Sequence, residues 1–406
     1  MQISSITKQG VRERRYDLDW LRVIAFGLLI YFHAAIVFIP NGLPLISNAQ
    51  SSIGMQIFVA FLQEFRLGLL FLVAGMGVKF ALARRSRTEF FLERSRRLLI
   101  PLVFGIFVLV PPMVYLEKWH IGQFSGSLFE FYAGLLGDGV YPSGSLSWHH
   151  FWFVAYLFIY CVICWPLFRV VMSGELETRL QWLSQKGRLF YILIPLLVFE
   201  IPLRFLFPGF RDLIHDWASF MHWGVLFMTG FAAICYRPML DSFERLWVWG
   251  LLAGVACTGL LFLNFFDVKS AHFSPLHDGQ VSIVEYLWFC VLRMANSWAW
   301  LIACVGFAGR YFNRPSKVLV YLNSAVYPLF CLHLTITVAI AYFVVETHWS
   351  IAGKYLFITS STFALSLLLF EGIRRVFFLR PLFGLPPLSK VLRQLPTRKF
   401  YEELEK

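Results

Sequence analysis

The sequence predicts an all-α fold, a polytopic transmembrane helix bundle of about ten spans with both termini cytoplasmic. Three observations predict it. Of 406 residues, 58% are hydrophobic and 15% charged, with a mean hydropathy of +0.65. That is more apolar surface than a water-soluble chain of this size hides, so lipid is the expected solvent. The apolar residues gather into stretches of about 20, the length of one bilayer crossing. The basic residues fall in alternate connections, the mark of a fixed orientation.

Taken in order, the spans are expected near 18–39, 54–83, 98–116, 149–170, 189–207, 217–236, 246–265, 283–309, 318–345 and 351–376. Eight spans is the alternative, if 189–207 and 217–236 do not both cross. The N-terminus, loops 84–97, 169–188, 237–245 and 310–317, and the chain from Arg374 onward hold 27 Lys and Arg, against five in the opposite connections. This positive-inside bias places both termini in the cytoplasm. It divides the chain into a cytoplasmic segment 1–17, a membrane domain 18–380 and a cytoplasmic tail 381–406. The basic start (Lys8, Arg12, Arg14, Arg15) running into a full-length span reads as a retained anchor. A net charge of +12 distributed in this way speaks for orientation and against nucleic acid as a partner. The seven cysteines (Cys161, Cys164, Cys235, Cys257, Cys290, Cys304, Cys331) all lie in apolar stretches without metal-site spacing, so packing is their expected role and no metal is expected.

Arg22 and His33 are the most informative pair. A charge or an imidazole inside a span is costly and marks a candidate functional site. In Arg22-x10-His33, steps of about 100° bring His33 back to within about 20° of the Arg22 face, about 16 Å further along the helix. Asp19 shares that face, so a plain Asp19–Arg22 ion pair and a histidine bonded to a neighbouring helix is the competing reading. His333, in span 9 with Asn323 and Tyr327, should reach a depth similar to His33 because both spans run outward. The other histidines sort to the outer side, including His149 and His150 in Trp148-His149-His150-Phe151-Trp152-Phe153. Outward-facing proton-transfer chemistry explains that bias, and so do small numbers. The aromatic segment suits either an interfacial belt or a platform for sugar rings.

Arg94 and Arg97, if helical, are i, i+3 neighbours whose guanidinium forks suit phosphate; simple positive-inside anchoring is the alternative. Glu64 and Arg66 in span 2 point to different faces and need partners on other helices, and Arg66 is deep enough to require a carboxylate or a ligand anion. Glu371 is expected to pair locally with Arg374 or Arg375.

Four of these pieces, in order along the membrane region, resemble the acyltransferase 3 family of integral membrane acyltransferases: Arg22-x10-His33 within Leu18-Asp19-Trp20-Leu21-Arg22, Arg94-x-x-Arg97, His150-Phe151-Trp152-Phe153, and Tyr321 to His333 with Asn323. Phe65-Arg66-Leu67 and Phe370-Glu371 add a likeness to the branch associated with O-succinylation of periplasmic glucans. Leu334 departs from that branch, standing where a second histidine or a proline is expected, and no appended soluble hydrolase-like domain is visible. The resemblance implies a multi-pass protein of the bacterial inner membrane, in contact with lipid. It would move a succinyl or acetyl group from cytoplasmic acyl-CoA to hydroxyls of an extracytoplasmic glycan, with no permanently bound cofactor.

In that reading Arg94 and Arg97 hold the donor's phosphates, and His33 acts as general base or transient acyl carrier. Arg22 guides the donor and His333 relays protons. Arg66 or Asn323 stabilises the oxyanion. His150 and Trp152 line the acceptor's entry. The competing class is a proton-coupled transporter of a solute or lipid-linked sugar, which discontinuous helices and half-repeats usually mark; neither is clear in the sequence.

Overall fold

Acidic residues open the first helix where its backbone N–H groups are unpaired. Asp17 and Asp19 sit in the first turn of α1 (Tyr16–Ile36), and Arg15 closes on Asp17 at 2.5 Å. The computed structural model describes residues 15–40, 46–83, 85–207, 213–268, 272–273 and 281–387. Lys8, Arg12, Arg14, Arg211, Lys269, His277 and the tail from residue 388 lie outside the described residues.

The second predicted span is two helices, α2 (Ile53–Gln63) and α3 (Arg66–Leu82), interrupted at Glu64 and Phe65. Hydropathy carries no sign of this interruption, and the two pieces still make one span, Ile53–Leu82. The third span, Arg87–His120, is one long rod, α4, started by a capping box in which Ser86 and Glu89 satisfy each other's backbone N–H groups. Two π-helical turns, Ser95–Leu99 and Gly105–Leu109, interrupt it. The fourth is bent by 56° between the segment His149–Ile163, whose regular part is α5 (Trp152–Ile163), and α6 (Trp165–Ser173). Then follow α7 (Leu193–Leu206), α8 (Trp217–Cys235), α9 (Arg237–Phe265), α10 (Ile283–Tyr311), α11 (Lys317–Val344) and α12 (Ile351–Ile373). Serines cap α10, α11 and α12, and Asp216 caps α8.

Among the described residues, nine helices are long and apolar enough to cross a membrane, and ten if the bent pair is one span. Both helices whose crossing separated ten spans from eight pass that test. Three of the connection cations belong to helices instead. Lys118 lies in the last turn of α4. Arg204 closes the last turn of α7, and Lys354 is buried in α12, donating to Asn48 Oδ1 and to the Val345 carbonyl.

The tightest crossing joins α3 to α8. A Cβ on Gly75 would stand 1.9 Å from the Phe227 carbonyl oxygen, and one on Gly230 would stand 1.9 Å from that of Leu72. Small residues on both helices let the backbones touch, the packing device that works where no water drives association. The crossing fixes α3, whose first residue is Arg66. Beside it a stack of Phe71, Trp223 and Trp152 fills the centre of the bundle. The outward face of α9 (Val248, Trp249, Leu252, Val255) is exposed and apolar, as a lipid-facing surface is.

A chain of charges braces the break before α3. Glu64 accepts from Arg293 Nε at 3.2 Å, Arg293 Nη1 donates to Glu200 at 3.1 Å, and Glu200 accepts from Arg204 at 2.9 Å. Glu200 is fully buried, and this network supplies the interhelical partner that Glu64 requires.

Candidate active site

Two parallel helices, α1 and α11, meet three times, and the site is built on those meetings. At one end Arg22 Nη1 donates to Asn323 Oδ1 at 3.1 Å and pairs with Asp19 at 3.3 Å. In the middle Phe26 and Phe330 meet edge to face, with ring centroids 5.5 Å apart. At the other end the rings of His33 and His333 lie 5.3 Å apart. The periodicity that puts Arg22 and His33 on one stripe of α1 therefore finds a matching stripe on α11.

A third imidazole joins them. The 3-10 turn His149–Phe151 turns His150 inward, where it is 7% exposed and 5.1 Å from His333. His149 takes a positive φ of 34° at the start of this turn. The tautomers of two rings follow from their partners. His333 Nδ1 lies 2.7 Å from the Phe330 carbonyl, and His150 Nε2 lies 3.2 Å from that of Cys331. A carbonyl only accepts, so each of those nitrogens carries the proton. His333 Nε2 and His150 Nδ1 are left with free lone pairs, and neither has a hydrogen-bond partner among the described residues. In its neutral form each ring thus keeps one unprotonated nitrogen.

His33 and His150 border a cleft of about 840 Å³, within the size range of small-molecule sites, with His333 buried behind them. His33, His150, Arg66, Trp152 and Phe330 line it. Arg66 is 2% exposed, with its guanidinium 3.1 Å from the centre of the Phe32 ring, and it stands at the positive N-terminus of α3. Cation and helix end together make this the anion-stabilising side of the cleft. Trp152 gives one face to Trp223, at 4.8 Å, so it supports the wall more than it offers a flat sugar platform. The far wall is the loop Val140–His149, strapped down by Tyr141 donating to Glu117 at 2.8 Å and by Lys118 bonding Ser145, which donates to Asp138. Burial and the adjacent Glu117 carboxylate hold the Tyr141 phenol well above its usual range, so it remains a donor.

The second cleft, of about 730 Å³, surrounds Arg22 and Asn323. Arg15, Arg22, Lys79, Arg94, Arg97 and Arg237 line it with a single carboxylate, Asp19. Arg94 and Arg97 do face the same cleft. Arg97 lies inside the π turn that begins at Ser95, directly after Arg94, and Glu93 holds both, at 2.7 and 3.7 Å. Lys79 is spent on the last turn of α8, donating to the Ile234 carbonyl at 2.7 Å.

The structure thus divides the residues singled out from sequence into two groups. His33, His333, His150, Arg66 and Trp152 gather at the first cleft; Arg22, Arg94, Arg97 and Asn323 gather at the second. Asn323 stands one helix stretch of about 15 Å from the histidines, and of the two oxyanion candidates only Arg66 is in their cleft. Arg293 is committed to Glu64 and Glu200. Glu371 is engaged locally with Tyr321, Arg374 and Arg375. His222 sits apart, its Nδ1 3.0 Å from Met294 Sδ. Among the described residues no group of His, Cys, Asp or Glu is arranged to hold a metal ion. Phe26, Tyr141 and Leu70 also line or border these clefts, and nothing in their spacing separates them from packing residues.

Buried histidines beside a cationic cleft in a membrane bundle are costly to place and mark this as the candidate functional site. The chain belongs to the acyltransferase 3 family: residues 15–371 match it as an acyltransferase domain. It is a multi-pass membrane protein of that family. It is similar to "Glucans biosynthesis protein C" of Escherichia coli strain K12, and to the same protein of the DH10B and MC4100/BW2952 derivatives, each 24% identical over 165 residues. That region covers 40% of this chain and 41% of each relative, so the chain spans about two fifths of the length of the curated relatives it matches. No solved structure matches. Together α2 and α3 form one span, Ile53–Leu82, without a bend above 40° at their junction, and the family is one of acyltransferases rather than transporters.

Proposed function

We propose that this enzyme transfers a succinyl or acetyl group from cytoplasmic acyl-CoA to a hydroxyl of an extracytoplasmic glycan, a periplasmic glucan by analogy with its similar relatives. One observation carries the reading: a cation-lined cleft and a histidine-lined cleft share two wall residues, Leu70 and Phe153. The basic face is cytoplasmic in this reading, in line with the bias of the connecting loops, and the membrane is the bacterial inner membrane.

Arg94 and Arg97 receive the phosphates of the donor, exchanging Glu93 for a stronger bidentate partner. The pantetheine arm carries the thioester along α1 towards His33. His33 takes the proton of the acceptor hydroxyl as its oxygen attacks the thioester carbonyl. The tetrahedral oxyanion forms beside Arg66 and the N-terminus of α3. Its collapse breaks the C–S bond, leaving an O-ester and a CoA thiolate, which takes back the proton that His33 removed. His333, its ring 5.3 Å from that of His33 and 5.1 Å from that of His150, serves as a second relay that holds this proton in the interval. Trp148 and Tyr141 border the acceptor's approach. If the acyl group is succinyl, Arg66 is the one histidine-cleft cation able to meet its free carboxylate.

The test is acyl transfer by the purified protein from labelled acyl-CoA to glucan, wild type against a folded His33→Ala variant. Transfer by that variant at the wild-type rate removes His33 as the base. Mass spectrometry of envelope glucans from cells with and without the gene identifies both the acyl group and the acceptor.

A further inference from the structure

The two clefts share walls but are divided by three phenylalanine rings, one from each of α1, α5 and α11. Phe26 meets Phe330 at 5.5 Å and Phe153 at 6.2 Å, both edge to face, and Phe153 meets Phe330 at 5.8 Å. Phe26 and Phe153 line the cationic cleft, and Phe153 and Phe330 line the histidine cleft. The ring cluster therefore stands at the level where the two cavities would otherwise run together.

We propose that Phe26, Phe153 and Phe330 form a seal that keeps the two sides of the membrane apart in the resting protein, and that Phe26 is its movable leaf. A protein with deep clefts from both faces needs such a barrier, because a continuous water column conducts protons. The packing of the rings assigns the leaf. Phe153 is pinned at 4.7 Å against Phe71, inside the stack of Phe71, Trp223 and Trp152. Phe330 lies parallel to Tyr327, with centroids 6.0 Å apart, and Phe153 and Phe330 are each 3% exposed. Phe26 is only partly buried and is held by the two rings it faces. Turning one ring opens a slot wide enough for an unbranched chain. A sugar or a nucleotide does not fit through it, and an apolar rim disfavours a hydrated phosphate. The seal thereby restricts what crosses to a slender thioester-bearing arm. Only the naming of that arm rests on the function proposed above.

Two assays on proteoliposomes test this. In vesicles without any donor, proton permeability is read with an entrapped pH dye. Phe26→Ala is expected to be several-fold leakier than wild type, and Phe26→Leu intermediate, so the result does not hang on one variant folding. With acyl-CoA and acceptor present, Phe26→Trp is expected to stay tight but to transfer about tenfold more slowly or worse, because the larger ring must still be displaced. Ile24→Ala, on the exposed side of the same helix, controls for general loosening and should match wild type in both assays. Vesicles of folded Phe26→Ala and Phe26→Leu as tight as wild type, or Phe26→Trp transferring at the wild-type rate, overturn the seal. Should wild type transfer no acyl group at all, the proposed function falls while the permeability arm still decides the seal.

Discussion

Replacing Arg293 with methionine should destabilise the protein far more than replacing its partner Glu64 with glutamine. Arg293 bridges two carboxylates, Glu64 at 3.2 Å and Glu200 at 3.1 Å, whose side chains are 5% and 0% exposed. In Arg293→Met, Glu200 keeps Arg204 at 2.9 Å, but Glu64 loses the ion pair that accompanies its burial. Removing one member of a buried pair and stranding the other costs about 3–5 kcal/mol. In Glu64→Gln no charge is stranded, because Arg293 keeps Glu200, and the loss is that of one charged hydrogen bond, about 1.5–3 kcal/mol. The double variant Arg293→Met/Glu64→Gln should then be more stable than Arg293→Met alone, an inversion that ordinary additivity does not give. Reversible unfolding of the purified protein in mixed micelles measures all three. Equal losses in the two single variants, or a double variant that loses the sum of both, refute the network account. The same series should lower acyl transfer in the order of its stability losses, since Glu64 anchors the break from which Arg66 enters the histidine cleft.

His33→Ala should reduce transfer by about 10²–10⁴-fold, the usual contribution of a general base, without changing the elution volume of the protein. Arg94→Ala and Arg97→Ala should each raise the donor KM and leave kcat nearly constant, because their contacts are made equally to bound donor and transition state; a fall in kcat alone speaks against a phosphate clamp. His333→Asn keeps an N–H for the Phe330 carbonyl but removes the Nε2 base, so it should fold normally and transfer slowly. Gly75→Ala and Gly230→Ala should both lower the yield of folded protein, since each places a methyl carbon 1.9 Å from a carbonyl oxygen of the facing helix; wild-type thermal unfolding in either contradicts the packing described.

Some of this site was legible because it follows from one periodicity. Arg22 and His33 share a stripe by helix geometry, and His333 reaches the same depth because its span runs in the same direction. Span limits were legible from hydropathy, down to the two short helices on which the choice between eight and ten depended. What escaped is decided by contacts between distant parts of the chain. Nothing at Glu64-Phe65 signals a break, as neither residue is a glycine or proline; the break is held by Arg293, which lies far along the sequence. His150 was legible as a site residue only through the family resemblance, because the strained turn at His149 that swings it inward has no sequence signature. Phe26, Phe153 and Phe330 are three of 44 phenylalanines, and only their meeting on three helices distinguishes them.

The parallel course of α1 and α11 explains why the polar residues are spaced as they are. Each helix carries, in the same order, a polar group at the cationic cleft, a phenylalanine and a histidine. Because the two helices run side by side in register, any slip of one against the other by a turn, about 5.4 Å, would part all three pairs at once. The Pro328 ring removes one backbone N–H from α11 between Asn323 and Phe330, which makes that stretch the softest place for such a slip. Arg22–Asn323 and His33–His333 lie on either side of it, so they fix register from both ends.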